Sequence, residues 1–183
     1  MRKGKFRHSG IAALKKIPII VGCLVFLFSI LSPFCHSVPF TIPEMRATEY
    51  YWSFKVDIYA NHLGGHHISR QYWFIDYWFG SYSGSWSFLS LTWVLISIFV
   101  AQILTLMAGV TPILSNREVL ALAPMALCSA VMVLMMNFCQ ELSGNTDSTY
   151  YEKGYWFTCL SLLVFLIAFI TNLAVRKKQK KNP

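Results

Sequence analysis

Four long apolar runs constrain this chain more than any other feature it carries. They lie at about 17–36, 88–110, 119–140 and 155–175. Each is about 20 residues long, which at 1.5 Å per residue matches the roughly 30 Å of hydrocarbon that a helix must cross in a bilayer. A backbone in lipid has no water to bond, so only helices and closed barrels satisfy it. Uninterrupted apolar runs exclude the alternating pattern of barrel strands. The first run holds no charge. Gln102 is the strongly polar side chain of the second, and Asn137 and Gln140 are those of the third.

The formal net charge of +8 would suit nucleic acid, but its distribution argues against that partner. Arg2, Lys3, Lys5, Arg7, Lys15 and Lys16 precede the first run, and Arg176, Lys177, Lys178, Lys180 and Lys181 follow the last. Cations that flank spans mark the cytoplasmic side. The segment 37–87 sets Arg46, Lys55 and Arg70 against Glu44, Glu49, Asp57 and Asp76, and 141–154 sets Lys153 against Glu141, Asp147 and Glu152. These readings divide the chain into a basic cytoplasmic arm (1–16), a first span (17–36), an extracellular domain (37–87), a second span (88–110), a cytoplasmic turn (111–118), a third span (119–140), an outer loop (141–154), a fourth span (155–175) and a basic cytoplasmic tail (176–183). A cleavable signal is the rival reading of the first run. The run is long for a signal, and SPFCHSV at its end has no small-x-small site. Trp78, Tyr82, Trp86, Tyr150, Tyr151, Tyr155 and Trp156 suit the outer headgroup level, where amphipathic rings collect.

The segment 37–87 is too long for a plain connection and should carry its own structure. Residues 51–62, YWSFKVDIYANH, alternate apolar with polar, the period of a half-buried strand. Gly64-Gly65 then reads as a two-residue hairpin turn into HHISRQYWFIDYWF. That turn makes His62 face His67, Val56 face Trp73, Phe54 face Ile75 and Trp52 face Tyr77, with Asp57 diagonal to Arg70 and Lys55 diagonal to Asp76. A pair of strands is marginal alone, so its apolar face must rest on further strands from 38–50, on the membrane surface or on a partner.

Few groups suggest chemistry. His62 and His67, side by side in that register, are the candidate metal ligands, although two imidazoles do not complete a site. The five cysteines, Cys23, Cys35, Cys128, Cys139 and Cys159, show no CxxC pair and no zinc spacing. Cys35, Cys139 and Cys159 fall near the outer face, where oxidation is permitted. Cys35 and Cys139 both end spans, and they are the preferred disulfide pair if one forms. Cys23 and Cys128 belong within the membrane. No GxSxG, HExxH, P-loop or dinucleotide fingerprint is present, and no ionisable residue falls at mid-span. The expectation is therefore a protein that is not an enzyme and uses no cofactor.

The order of elements is basic arm, span, long β-rich outer loop, two close spans, short outer loop, span and basic tail. It resembles the claudin-like four-span membrane proteins over nearly the whole chain. The loop 37–87 has no cysteine and no Gly-Leu-Trp, so no claudin residue role carries over. The stretch YWFIDYWFGSY is also similar to small four-span proteins of archaeal genomes. The fold expected is a membrane four-helix bundle, all-α, with a small extracellular antiparallel β-domain between helices 1 and 2. Its partners are the lipid bilayer and, through the outer domain, a second copy or a larger membrane complex. A small transporter or channel subunit is the alternative.

Overall fold

A computed structural model of the chain describes residues 3–38, 45–62, 67–73, 86–114, 122–144 and 148–181. Four helices are present among them: α1 (Lys3–Ile30), α2 (Trp86–Leu114), α3 (Leu122–Ser143) and α4 (Lys153–Lys181). They pack in a ring, α1 on α4, α4 on α3, α3 on α2 and α2 on α1. The stretches Trp93–Leu114, Leu122–Ser143 and Lys153–Val175 are long and apolar enough to cross a membrane, and Lys16–Ile30 of α1 is a shorter apolar helix.

The first apolar run is not helical throughout. Its last bond is from the Leu31 amide to the Leu27 carbonyl, and α1 stops at Ile30 rather than at 36. Pro33 lies just beyond. Proline disfavours helical backbone in the residue before it, which helps to stop the helix here. The remainder of the run, from Cys35, becomes a strand.

Five strands form one antiparallel sheet among the described residues. They are β1 (Cys35–Val38), β2 (Met45–Tyr51), β3 (Lys55–His62), β4 (His67–Trp73) and β5 (Ser148–Tyr151), in the order β4-β3-β2-β1-β5. The β-domain is thus more than a hairpin, and β5 comes from the segment between α3 and α4. Strand β1 pairs with both neighbours, Cys35 with Tyr51 of β2 and with Tyr151 of β5.

The register between β3 and β4 differs by one residue from the expected one. Val56 stands opposite Tyr72, Lys55 opposite Trp73 and Asn61 opposite His67. An odd number of residues then separates Asn61 from His67, whereas a two-residue turn at Gly64-Gly65 needs an even number. The turn itself, Ile75, Asp76 and Tyr77 lie outside the described residues. The start of the strand differs too. Trp52, Ser53 and Phe54 are the connection from β2 to β3, with the Trp52 amide donating to the Lys55 carbonyl at 2.9 Å. A one-residue shift moves every partner to the other face. Phe54, in the connection, stacks on Trp73 with ring centroids 5.9 Å apart.

One face of the sheet rests on the helix ends. Cys35, Tyr51, Val56 and Ala60 are buried there. The Phe138 ring of α3 meets Phe34 and Tyr51 edge to face at 5.3 and 5.2 Å, and Phe54 reaches Phe99 of α2 at 6.3 Å. Below them, Phe26, Ile98, Val131, Met135 and Phe165 fill the space between the helices. Two small contacts hold α1 against α4. A Cβ at Gly22 would stand 2.6 Å from Phe165 Cε1, and the Ser29 and Thr158 hydroxyls are bonded at 2.7 Å.

Candidate contact surface

The sheet's other face is tiled with rings. Strand alternation puts His36, Tyr50, Asp57, Tyr59 and Tyr150 on the side away from the helices, because their neighbours Cys35, Tyr51 and Val56 point inward. The His36 ring lies on Tyr150 at 5.0 Å and near Tyr50 at 5.5 Å. Tyr50 in turn meets Tyr59 edge to face at 5.8 Å and Trp52 at 6.5 Å. The rings therefore run continuously across β5, β1, β2 and β3. Tyr59 is 46% exposed and Tyr150 is 55% exposed.

A shallow cleft of about 470 Å³ opens among these rings, lined by Pro33, Thr48, Tyr50, Trp52 and Tyr59. Charges at its margin are paired. The Lys55 ammonium lies 4.1 Å from the centre of the Trp52 ring and 2.9 Å from an Asp57 oxygen. His36 Nδ1 is 2.7 Å from Glu152 Oε1, which ties β1 to the start of α4. On the inward face, Tyr51 donates its hydroxyl to Glu49. Burial first, and the Glu49 carboxylate second, hold the Tyr51 phenol far above its ordinary pKa, so it stays protonated as the donor. This face thus offers ring faces and hydroxyls beside two charged pairs, His36–Glu152 and Lys55–Asp57.

The residues singled out from the sequence fall as follows. His62 ends β3 opposite Met45 and His67 begins β4 opposite Asn61, so the two are not cross-strand partners. The one-residue register shift removes the geometry that made them a candidate metal pair. No group of three His, Cys, Asp or Glu placed to hold a metal occurs among the described residues. Asp57 faces Gln71 across the ladder and has Lys55 of its own strand as an ion partner, while Arg70 stands opposite Ile58. Cys35 and Cys139 are both buried and both are free thiols, and the residues beside them, Phe34 and Phe138, pack edge to face at 5.3 Å. Gln102 is buried between the helices at 1% exposure, while Asn137 and Gln140 face outward near the end of α3.

Sequence reasoning missed His36, Tyr50, Tyr59 and Glu152 as parts of one surface. His36 was hidden at the end of an apolar run, and Tyr150 reads equally well as a headgroup anchor. The available signal was Pro33 followed by the alternating CHSV, which suits a short strand better than a helix end. No protein-family model matches the chain, and no curated protein matches it either.

Proposed function

We propose that this chain is a multi-pass protein of the cell membrane, crossing it four times with both termini in the cytoplasm. Its outer β-domain makes protein–protein contacts, either with a second copy or as an accessory subunit of a larger membrane complex, and it is not an enzyme. The observation that carries the contact role is the continuous outward row of Tyr150, His36, Tyr50, Trp52 and Tyr59 around an open cleft. Exposed aromatic rings of this kind supply large contact area and anchor interfaces.

The membrane reading is supported by the helix surfaces. Only 28–33% of each long apolar window is buried inside the structure. Leu24, Phe28, Met107, Leu163 and Ile170 are among the large apolar side chains that remain exposed. Helices apolar all round call for an apolar solvent. The element order supports the claudin-like arrangement. The transporter alternative draws on Gln102, whose amide oxygen and nitrogen are buried with no hydrogen-bond partner among the described residues. The close packing of Phe26, Ile98, Val131 and Phe165 between the helices favours the contact role over a water-filled path.

Two measurements test this reading. For topology, a cysteine introduced at Gly64 should react with an impermeant thiol reagent on intact cells, and one introduced at Lys177 should react only after permeabilisation. The reverse pattern would overturn the orientation. For the contact role, Tyr59→Glu and Tyr150→Glu place charge on the outward rings. Loss of an aromatic anchor costs about 2 kcal/mol or more, which is about 30-fold in affinity. Both variants should lose the cross-linked assembly recovered from native membranes while melting at the wild-type temperature. Unchanged cross-linking in both would remove the contact role from this face.

A further inference from the structure

We infer that Cys35 and Cys139 are a disulfide-forming pair that ties the sheet covalently to α3. The inference rests on the proposed orientation, which puts both residues on the oxidising side of the membrane.

Three features of the fold bring the pair together. Cys35 opens β1 and is held in register between Tyr51 of β2 and Tyr151 of β5. Cys139 lies on α3 near its outer end and is buried at the face on which the sheet rests, as Cys35 is. The neighbours are fixed as well. Phe34, beside Cys35, packs edge to face on Phe138, beside Cys139. The contact between Phe34 and Phe138 therefore brings the next residue of the strand entry, Cys35, alongside the next residue of the helix, Cys139. The remaining thiols are engaged elsewhere. Cys128 donates to the Thr158 carbonyl at 3.5 Å, Cys159 lies 3.7 Å from the Met132 sulfur, and Cys23 faces Gly109.

The bond would form by exchange with a protein disulfide of the extracytoplasmic space. One thiolate of the chain attacks that disulfide and releases one partner sulfur as a thiol. The second thiolate then displaces the other partner sulfur. One S–S bond forms in the chain, one breaks in the partner, and the partner leaves as a dithiol carrying both electrons and both protons. Timing follows from burial. Both thiols are buried, and desolvation raises the Cys35 thiol well above its ordinary pKa, so thiolate is scarce once the sheet has docked. Exchange therefore belongs to the period of assembly, and the finished bond is a staple rather than a reversible switch.

The test uses the full chain expressed in a host with an oxidising exterior. Membranes are acid-quenched, denatured in SDS, and alkylated with and without prior reduction, and the intact mass is measured. The chain has five cysteines, so one bond leaves 5 − 2 = 3 alkylated before reduction and five after. Peptide mapping should join the segments that contain Cys35 and Cys139. Cys35→Ser and Cys139→Ser should each give four alkylated thiols with or without reduction. In parallel, a protease site inserted between Gly64 and Gly65 reports whether the loop faces outward on intact cells. An accessible loop with five thiols alkylated before reduction overturns the disulfide and leaves the orientation standing. A protected loop with five alkylated thiols overturns both. A bond joining any other pair also overturns the assignment.

Discussion

Gly154→Ala should lower the stability of the solubilised protein by about 2 kcal/mol, because a methyl group there has no space to enter. The added Cβ would stand 2.7 Å from the Ser32 carbonyl oxygen and 2.8 Å from the Pro33 carbonyl oxygen. Both obstacles are backbone, so neither moves aside by changing rotamer. The Gly154 amide also donates to Pro33 at 2.8 Å, and displacing α4 would lengthen that bond, worth about 1 kcal/mol. Alanine is the better helix former by about 1 kcal/mol, which opposes the loss but does not cancel it. Overpacking costs about 1–3 kcal/mol, and more where backbone must shift. A net loss of about 2 kcal/mol corresponds to a melting temperature about 4–8 °C lower in a chain of this size. Gly144→Ala is the control, since among the described residues its Cβ would meet only the Glu141 carbonyl at an ordinary 3.6 Å. Equal melting of the Gly154→Ala and Gly144→Ala proteins would show that α4 does not need this close approach.

A larger loss, about 3–5 kcal/mol, is expected for Phe138→Ala. Phe138 is 1% exposed and is the ring on which both Phe34 and Tyr51 rest. Removing it leaves a cavity where the sheet meets α3, and two aromatic pairs lose their partner, each worth about 0.5–1.5 kcal/mol beyond area. The damage should be local before it is global. Amide hydrogen exchange in β1 and β2 should accelerate well before exchange in α2 and α3, because the sheet loses its seat while the helix ring keeps its own packing. Uniform acceleration through sheet and helices alike would mean that the two parts unfold as one unit.

The helices were easier to read in the sequence than the sheet, for a physical reason. A helix that is apolar on nearly every face leaves a long unbroken run in the sequence. Strand signals are short and borrow from their neighbours. Alternation in YWSFKVDIYANH passes straight through the connection Trp52-Ser53-Phe54, since a turn that keeps apolar residues at every second position looks like strand. That continuity hid the start of β3, and the Gly64-Gly65 pair suggested an even turn where the register is odd. Strand β1 was absorbed into the first apolar run, and β5 reads as headgroup tyrosines. Nothing local signals that 35–38 and 148–151 pair, because that contact is made by distant parts of the chain. Depth was more legible than lateral position. A fixed helical rise converts residue number into height, which is why Cys35 and Cys139 were expected at one level, and the rings beside them, Phe34 and Phe138, pack together.

The strand order β4-β3-β2-β1-β5 also bears on the order in which the molecule is made. Strands β1 to β4 leave the ribosome together, and each pairs with its immediate neighbour in sequence. The last strand arrives only after two further helices have been synthesised. Until then the β1 edge carries unpaired amides and carbonyls, the kind of edge that recruits foreign strands. Closing the sheet requires a contact across more than a hundred residues, with the loop entropy and slow search that such contacts entail. A nascent chain halted before β5 would therefore display an open β1 edge, which β5 covers in the finished protein, and any quality-control factor that samples the nascent chain would meet that edge first.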